Sequence, residues 1–158
     1  MEILDLYNAN GEKLNKTIAR GQKPVEGEYI KLAVVYVKCG DKYLLQKCSK
    51  EKGGEYAITG GHVPSGFTSL QQACVETEEE LGLHLSTNDL KYLGSMPRGS
   101  AIFDVFLYEN DNLKDFNFVL QEEEVEGVYW YTKAQIEKMI EQGVVRKSSC
   151  LHYEKFIK

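Results

Sequence analysis

The chain has 158 residues, of which 42% are hydrophobic and 27% charged, and its formal net charge at pH 7 is −5. This length and composition predict a single globular domain over residues 1–158. A protein that binds a nucleic-acid polymer needs a basic patch to displace counterions, and no run of lysines supplies one here. We therefore expect no nucleic-acid polymer as a partner.

The sequence also predicts the location of the protein and the chemical state of its cysteines. No apolar run approaches the roughly 20 residues that span a membrane, and the opening MEILDLYNAN lacks the basic segment that begins a secretion signal. We therefore expect a cytoplasmic protein with no membrane partner. The cysteines form no C-x-x-C pair, a pattern that predicts reduced thiols rather than disulfides or a zinc site. They are Cys39, Cys48, Cys74 and Cys150.

The first elements in the chain are predicted to be strands. Residues 1–20 begin with alternating apolar side chains and contain the turn sequence Asn8–Gly11, a pattern that indicates a small hairpin or an edge strand. The apolar run within Tyr29–Lys38 predicts a buried strand. A turn at Gly40-Asp41 then leads into a partner strand at Lys42–Lys47, which completes a second hairpin.

A glycine pair follows the next short strand. The strand is predicted at Tyr56–Thr59, and Gly60 and Gly61 come directly after it. Because glycine has no Cβ, the backbone can approach a ligand closely or turn sharply at these two positions. His62 is next, and a histidine beside an acidic site can bind a substrate phosphate or can make a structural hydrogen bond in a loop. Gly61 and His62 are therefore candidate substrate-binding residues.

The segment Ser69–Leu81 has the spacing of an amphipathic helix. Thr68 and Gln71 have the spacing of a capping box at its start, and Gly82 is a suitable stop at its end. At about 100° per residue, one stripe of the helix is largely apolar and contains Leu70, Ala73, Cys74, Thr77 and Leu81. The neighbouring arc is acidic and contains Glu76, Glu79 and Glu80.

This acidic arc predicts a metal site. Like charges three and four residues apart repel by roughly 0.2–0.5 kcal/mol per pair, so the arc opposes helix formation unless a cation lies among the carboxylates. Mg²⁺ prefers oxygen ligands and is usually held by a few carboxylates together with substrate phosphates. Magnesium is therefore the expected cofactor, with manganese as an alternative, and a small phosphorylated compound the expected substrate. The other interpretation is a solvated acidic face.

The spacing of these residues resembles the signature of the Nudix hydrolases, G-x5-E-x7-R-E-U-x-E-E-x-G-U. The match covers Gly61–Leu83 and includes Gly61, Glu76, Glu79, Glu80, Gly82 and Leu83. Two positions depart from it, because Phe67 stands where the family has a glutamate and Val75 where it has an arginine. In the family these two residues commonly pair with each other. Here both partners of one ion pair are lost, which is less damaging than loss of one alone.

The resemblance implies both a site and an activity. It implies metal ligands at Glu76, Glu79 and Glu80, with the carbonyl of Gly60 as a further ligand. The implied reaction is magnesium-dependent hydrolysis of a diphosphate linkage in a small substrate of the nucleoside-diphosphate type. Glu79 and Glu80 would be catalytic in this reaction, and a carboxylate from this helix or from a later loop would accept the proton of the attacking water.

After the helix, strands are predicted at Leu90–Leu93 and Ala101–Tyr108. The second is apolar on both faces, a pattern that indicates a central strand. Arg98 lies between the two strands, where it can neutralise a substrate phosphate or simply lie on the surface. A polar loop is expected at Asn110–Asn117.

The last third of the chain contains a second acidic segment. The stretch from Leu120 to Tyr131 resembles the late loop and strand of the Nudix fold, in which a glutamate assists catalysis. Glu123 is the first candidate, and its neighbours Glu122 and Glu124 remain open because spacing alone does not distinguish them. Thr132 is then predicted to cap a helix that ends at Gly143, and a short helix or tail follows at Ser148–Lys158.

These elements fit an α/β sandwich in which a mixed β-sheet lies between helices. The resemblance implies the same architecture, a Nudix-type α/β/α sandwich. Two alternative functions remain. One is a catalytically weak or inactive Nudix-fold module that only binds its ligand. The other is an enzyme like isopentenyl-diphosphate isomerase, which requires an active-site cysteine and a histidine-rich metal site that the three histidines of this chain do not recognisably form.

Overall fold

The computed structural model describes residues 2–158, within which it contains nine β-strands and three α-helices. The strands are β1 Ile3–Tyr7, β2 Lys13–Ala19, β3 Ile30–Cys39, β4 Lys42–Cys48, β5 Tyr56–Ala57, β6 Thr59–His62, β7 Lys91–Arg98, β8 Ala101–Glu109 and β9 Val125–Thr132. The helices are α1 Ser69–Leu81, α2 Lys133–Glu141 and α3 Lys147–Phe156, and two single-turn 3₁₀ helices lie at Lys50–Lys52 and Thr87–Asp89.

Seven of the strands form one mixed sheet. Its main path is β5-β4-β3-β8-β7, while β6 pairs with β3 and β9 pairs with β4. The pairing of β3 with β8 is parallel, and the other pairings are antiparallel. The strand β8 lies between β3 and β7, so the prediction of a central strand from its two apolar faces is confirmed. The remaining strands, β1 and β2, form the predicted N-terminal hairpin.

The sheet separates two hydrophobic cores, because successive side chains of a strand point to opposite faces. The core on the side of α2 and α3 includes Val34, Tyr36, Ile136 and Tyr153. The core on the side of α1 includes Ala33, Val35, Ala73 and Leu81. The predicted α/β/α sandwich with a mixed sheet is confirmed.

The helix α1 has the predicted bounds and the predicted caps. The Thr68 hydroxyl accepts a hydrogen bond from the backbone amide of Gln71 at 3.1 Å, and the Gln71 side chain accepts one from the backbone amide of Thr68 at 2.9 Å. Gly82 closes the helix with a φ of 68°, in the left-handed region that glycine adopts without strain. Local sequence signals therefore determine the position and length of this helix.

Two predicted strands differ in the structure, and the one predicted at Leu90–Leu93 is β7, which continues to Arg98. The single strand expected at Tyr56–Thr59 is two strands, and the second of them, β6, includes Gly60, Gly61 and His62. His62 therefore lies in a strand and not in a loop, because it pairs with Leu32 of β3. Residues 60–62 form a strand because they pair with β3, which is distant in the sequence. The two backbones approach so closely that a Cβ on Gly60 would lie 2.5 Å from the Ala33 carbonyl oxygen.

All four cysteines are free thiols in the structure. Within residues 2–158, no helix has both the length and the apolar character needed to cross a membrane.

Candidate active site

The candidate site lies where β6 meets the acidic face of α1. The backbone of Gly61 faces the Glu76 carboxylate so closely that a Cβ at this position would overlap the carboxylate. One helical turn later, Glu80 accepts a hydrogen bond from the backbone amide of Gly60 at 3.3 Å. The glycine pair and the two glutamates are therefore in direct contact, and the contact with Glu76 requires glycine at position 61.

Neutral side chains hold the two carboxylates in place. The side-chain amide of Gln72 donates a hydrogen bond to Glu76 at 2.8 Å. On the other side, Gln46 of β4 hydrogen-bonds Glu80 and accepts a bond from the Thr59 hydroxyl at 3.1 Å. These contacts fix the carboxylates without neutralising them, so their charges remain available to a cation.

Burial and mutual repulsion disfavour the charged forms of Glu76 and Glu80. Glu80 is only 7% exposed, and burial followed by the nearby charge of Glu76 raises its pKa far above the ordinary value. Burial also raises the pKa of Glu76, and the charge of Glu79 adds to the effect. The buried Glu80 and the half-buried Glu76 are stabilised in their charged forms when a cation binds between them.

A cavity of about 450 Å³ lies over this pair. It is lined by all the predicted site residues of the glycine pair, the histidine and the helix, namely Gly60, Gly61, His62, Glu76, Glu79 and Glu80. Burial, together with the positive charge of Arg20, lowers the pKa of His62, which is therefore neutral at pH 7. A neutral imidazole can donate a hydrogen bond to a phosphate oxygen but does not supply a positive charge.

Two predicted residues lie outside the cavity wall. Arg98 is exposed at the end of β7 and is not among the residues that line the cavity. Glu123 borders a neighbouring depression that it shares with Glu122 and Lys50. Glu124 is the member of the acidic run that lines the cavity, and it forms an ion pair with Lys52 at 3.3 Å.

The structure adds several residues to the site that the sequence did not indicate. Gln72 precedes Glu76 by four residues, the spacing at which two side chains of a helix meet, so its role was accessible from the sequence. Gln46 comes from a distant strand, and Glu2 and Arg20 come from the N-terminal hairpin. The sequence does not assign these three residues to the site, because the tertiary fold brings them there from distant parts of the chain.

The two residues that differ from the signature lie at the same cavity. Phe67 and Val75 both line it, in place of the charged pair that is common in the family. The loop between Gly61 and α1 is held in another way, because Asp5 of β1 accepts hydrogen bonds from the Ser65 hydroxyl at 2.7 Å and from the Gly66 amide at 3.0 Å. The hairpin therefore supplies polar contacts that hold the loop.

The residues present suit a hard divalent cation in donor type and charge. Carboxylate and carbonyl oxygens are the ligands that Mg²⁺ and Mn²⁺ prefer. Burial first, and then neighbouring carboxylates, raise the pKa values of Glu76 and Glu80, so a bound cation would stabilise their charged forms. Throughout residues 2–158, no group of three or more His, Cys, Asp or Glu side chains is already arranged to hold a metal ion. The side chain of Glu79 is exposed and has the freedom to turn toward the other two.

Related sequences cover most of the chain. A sequence model of the NUDIX domain matches residues 30–152. An uncharacterized Nudix hydrolase of Listeria innocua is 33% identical over 148 residues, which cover 90% of this chain and 87% of the relative. An uncharacterized Nudix hydrolase of Listeria monocytogenes is 32% identical over 150 residues, with the same two coverages.

Solved structures show the same fold at lower identity. A protein of Deinococcus radiodurans superposes with a TM-score of 0.82 at 19% identity, covering 99% of this chain and 100% of that one. A bifunctional NMN adenylyltransferase/ADP ribose pyrophosphatase of Francisella tularensis, solved with AMP and a manganese ion, has a TM-score of 0.61 at 17% identity. That match covers 82% of this chain and 40% of the bifunctional protein. Because the domain match and the Listeria relatives extend over most of the sequence, this chain belongs to the Nudix hydrolase family.

Proposed function

We propose that this protein is a magnesium-dependent pyrophosphohydrolase that cleaves the diphosphate linkage of a small nucleoside-diphosphate-type substrate. The observation that carries the proposal is the contact of Glu76 and Glu80 with the glycine pair of β6, at the floor of a 450 Å³ cavity. A cavity lined by several carboxylates suits metal-assisted chemistry on an anionic substrate better than it suits direct binding of the anion.

In this proposal Glu76, Glu79 and Glu80 hold Mg²⁺ or Mn²⁺, and the carbonyl of Gly60 is a further ligand. A bound divalent ion neutralises the diphosphate and lowers the pKa of a water molecule. Gln72 and the Gly60 amide orient the Glu76 and Glu80 carboxylates through the hydrogen bonds described above. Their contribution is to hold these ligands in place before the substrate arrives.

A carboxylate accepts the proton of the attacking water. Glu79, Glu80 and Glu123 are the candidates from the sequence, and Glu124 joins them because it lines the cavity. The position of Glu124 supports it over Glu123, which borders the neighbouring depression. Gly61 and His62 would contact the phosphates, whereas Arg98 would reach only a part of the substrate that extends beyond the cavity.

The proposal is tested by incubating the protein with nucleoside triphosphates, nucleotide sugars, ADP-ribose, dinucleotides and isoprenoid diphosphates, with and without Mg²⁺. ADP-ribose belongs in the panel because a structural neighbour is named as an ADP ribose pyrophosphatase. We expect Mg²⁺-dependent release of two phosphorylated products from one class of compound. Glu79→Gln should lower the rate by a factor of about 10² or more, the cost of losing electrostatic stabilisation in the transition state.

Glu78→Gln provides the matched control. Glu78 lies next to Glu79 on α1, but its side chain points to solvent and contacts His84 at 3.3 Å. This variant should retain the wild-type rate. Equal rates for wild-type protein and Glu79→Gln on the cleaved substrate would contradict the assigned role of this helix.

A second candidate function is a Nudix-fold module that binds its ligand without cleaving it. The apolar Phe67 and Val75 at the cavity favour it, because they replace the ion pair that commonly links the signature loop to the helix. Binding of a panel compound without product formation at high Mg²⁺ would support this candidate over the hydrolase.

A further inference from the structure

Arg20 stands out among the residues that surround the cavity. Of the described residues that line it, five are glutamates, namely Glu2, Glu76, Glu79, Glu80 and Glu124, whereas Arg20 is the only lysine or arginine. A diphosphate that enters this cavity therefore meets one permanent positive charge from the protein.

The side chain of Arg20 can exchange its present partner, Glu2, for a phosphate group. Its guanidinium forms an ion pair with the Glu2 carboxylate at 3.2 Å, and the two side chains are 54% and 37% exposed. An exposed ion pair contributes little to stability, so exchange of the Glu2 carboxylate for a phosphate oxygen costs little. The planar guanidinium also matches two oxygens of a phosphate at once, which an ammonium group does not.

The hairpin that carries Arg20 is anchored to the signature loop. The backbone amide of Ser65 donates to the Ile3 carbonyl at 2.7 Å, and Leu4 forms a bridge with Pro64. The backbone amide of Arg20 itself donates to the Glu2 carbonyl at 2.9 Å. These contacts fix the backbone of Arg20 beside the cavity. Since the NUDIX match begins at residue 30, this wall comes from outside the matched domain.

We propose that Arg20 is a substrate-binding residue that receives a phosphate group of the diphosphate, and that the β1–β2 hairpin forms the substrate-binding wall of the cavity. The proposal rests on the proposed function in one respect, because it takes a diphosphate as the ligand. Glu2 holds the guanidinium at the cavity until the phosphate replaces it.

The test uses methylenediphosphonate, a diphosphate analogue that is not hydrolysed, and measures its Kd by calorimetry in the presence of Mg²⁺. Arg20→Gln should raise the Kd about tenfold, since hydrogen bonds to charged groups are among the stronger ones in proteins. Arg20→Lys should give an intermediate Kd, because lysine keeps the positive charge but cannot make the bidentate contact with the phosphate. The midpoint of thermal unfolding should stay the same in both variants.

Lys16→Gln is the matched control. It removes the same charge from the same hairpin, but Lys16 pairs with Glu28 at 2.6 Å and does not line the cavity. Its Kd should equal that of the wild-type protein. Equal Kd values for Arg20→Gln and Lys16→Gln would overturn the proposal, and so would failure of the wild-type protein to bind the analogue. Binding that depends on Arg20, with no turnover of any panel compound, would support this inference while contradicting the hydrolase.

Discussion

At the scale of single residues, the site depends on the absence of a side chain at position 61. The Glu76 carboxylate occupies the space in which a Cβ on Gly61 would lie. Any other residue forces the carboxylate away from the position in which Gln72 holds it. This explains in physical terms why the spacing between this glycine and the glutamate belongs to the signature.

We therefore expect Gly61→Ala to lower kcat/KM by a factor of about 10², the effect of displacing a catalytic group by about 1 Å. Stability should change much less, because the displaced group is the end of a side chain. Steady-state kinetics and thermal unfolding measure the two effects. An alanine variant with the wild-type kcat/KM would show that the Glu76 position does not matter for turnover.

A second residue-scale feature is the buried histidine on the opposite face of the sheet. The Tyr36 hydroxyl lies 2.5 Å from Nδ1 of His152, and burial lowers the pKa of His152 to about 3. In the unfolded chain this pKa is about 6.5, so unfolding takes up a proton between these two values. The stability contributed by neutral His152 is fully present above pH 6.5 and is lost as the pH falls from about 6.5 toward 3.

This difference in pKa corresponds to a loss of roughly 2 kcal/mol between pH 7 and pH 5 from His152 alone. The variant His152→Gln keeps an acceptor for Tyr36 but does not titrate, so its free energy of unfolding should fall less over this range. Urea denaturation at the two pH values measures the difference. Because the raised pKa values of Glu76 and Glu80 act in the opposite direction, the comparison between the two proteins is decisive, and parallel pH profiles would contradict the assignment.

At the scale of elements, the N-terminal hairpin holds the loop before α1, which in the family is commonly linked to the helix by an ion pair. Asp5 accepts hydrogen bonds from Ser65 and Gly66, and also pairs with Lys13 at 3.3 Å. Burial raises the pKa of Asp5, but the bonds from Gly66, Ser65 and Lys13 outweigh this effect and lower it overall. The loop before α1 is thus fixed from β1, while Phe67 and Val75 remain apolar.

Replacing Asp5 by alanine should lower the free energy of unfolding by about 1–3 kcal/mol, because it leaves the Ser65 and Gly66 donors without their acceptor. It should also lower kcat, since the loop that continues from Gly61 loses its support. Lys13→Gln removes only the exposed partner and should cost less than about 1 kcal/mol. Urea denaturation and kinetics of the two variants test this, and equal costs for the two substitutions would rule out the loop contact as the cause.

At the scale of the whole molecule, the sequence predicted what depends on neighbouring residues and missed what depends on distant ones. The bounds of the helix α1 were predicted because its caps and its apolar and acidic faces depend on residues close together in the sequence. The same local spacing indicated its three glutamates as candidate site residues. The strand character of Gly60 and Gly61 was missed, because β3 imposes it from a distance. Arg20 and Gln46 were missed as site residues for the same reason, and Glu124 could not be distinguished from Glu123 until the loop was placed.

The charge distribution is consistent with the proposed activity on an anionic substrate. Part of the net charge of −5 lies at one cavity, and in the proposed function a bound divalent ion reverses the local field there for a phosphorylated substrate. The central claim is therefore that catalysis depends on a metal ion held by Glu76, Glu79 and Glu80.

The most direct test is the Mg²⁺ dependence of the hydrolysis rate, compared between Glu76→Gln and Glu78→Gln. These two glutamates lie two residues apart on α1, one against Gly61 in the cavity and one facing solvent. We predict that Glu76→Gln raises the Mg²⁺ concentration for half-maximal rate by about tenfold or more, whereas Glu78→Gln leaves it unchanged. The same Mg²⁺ dependence in both variants would contradict the account.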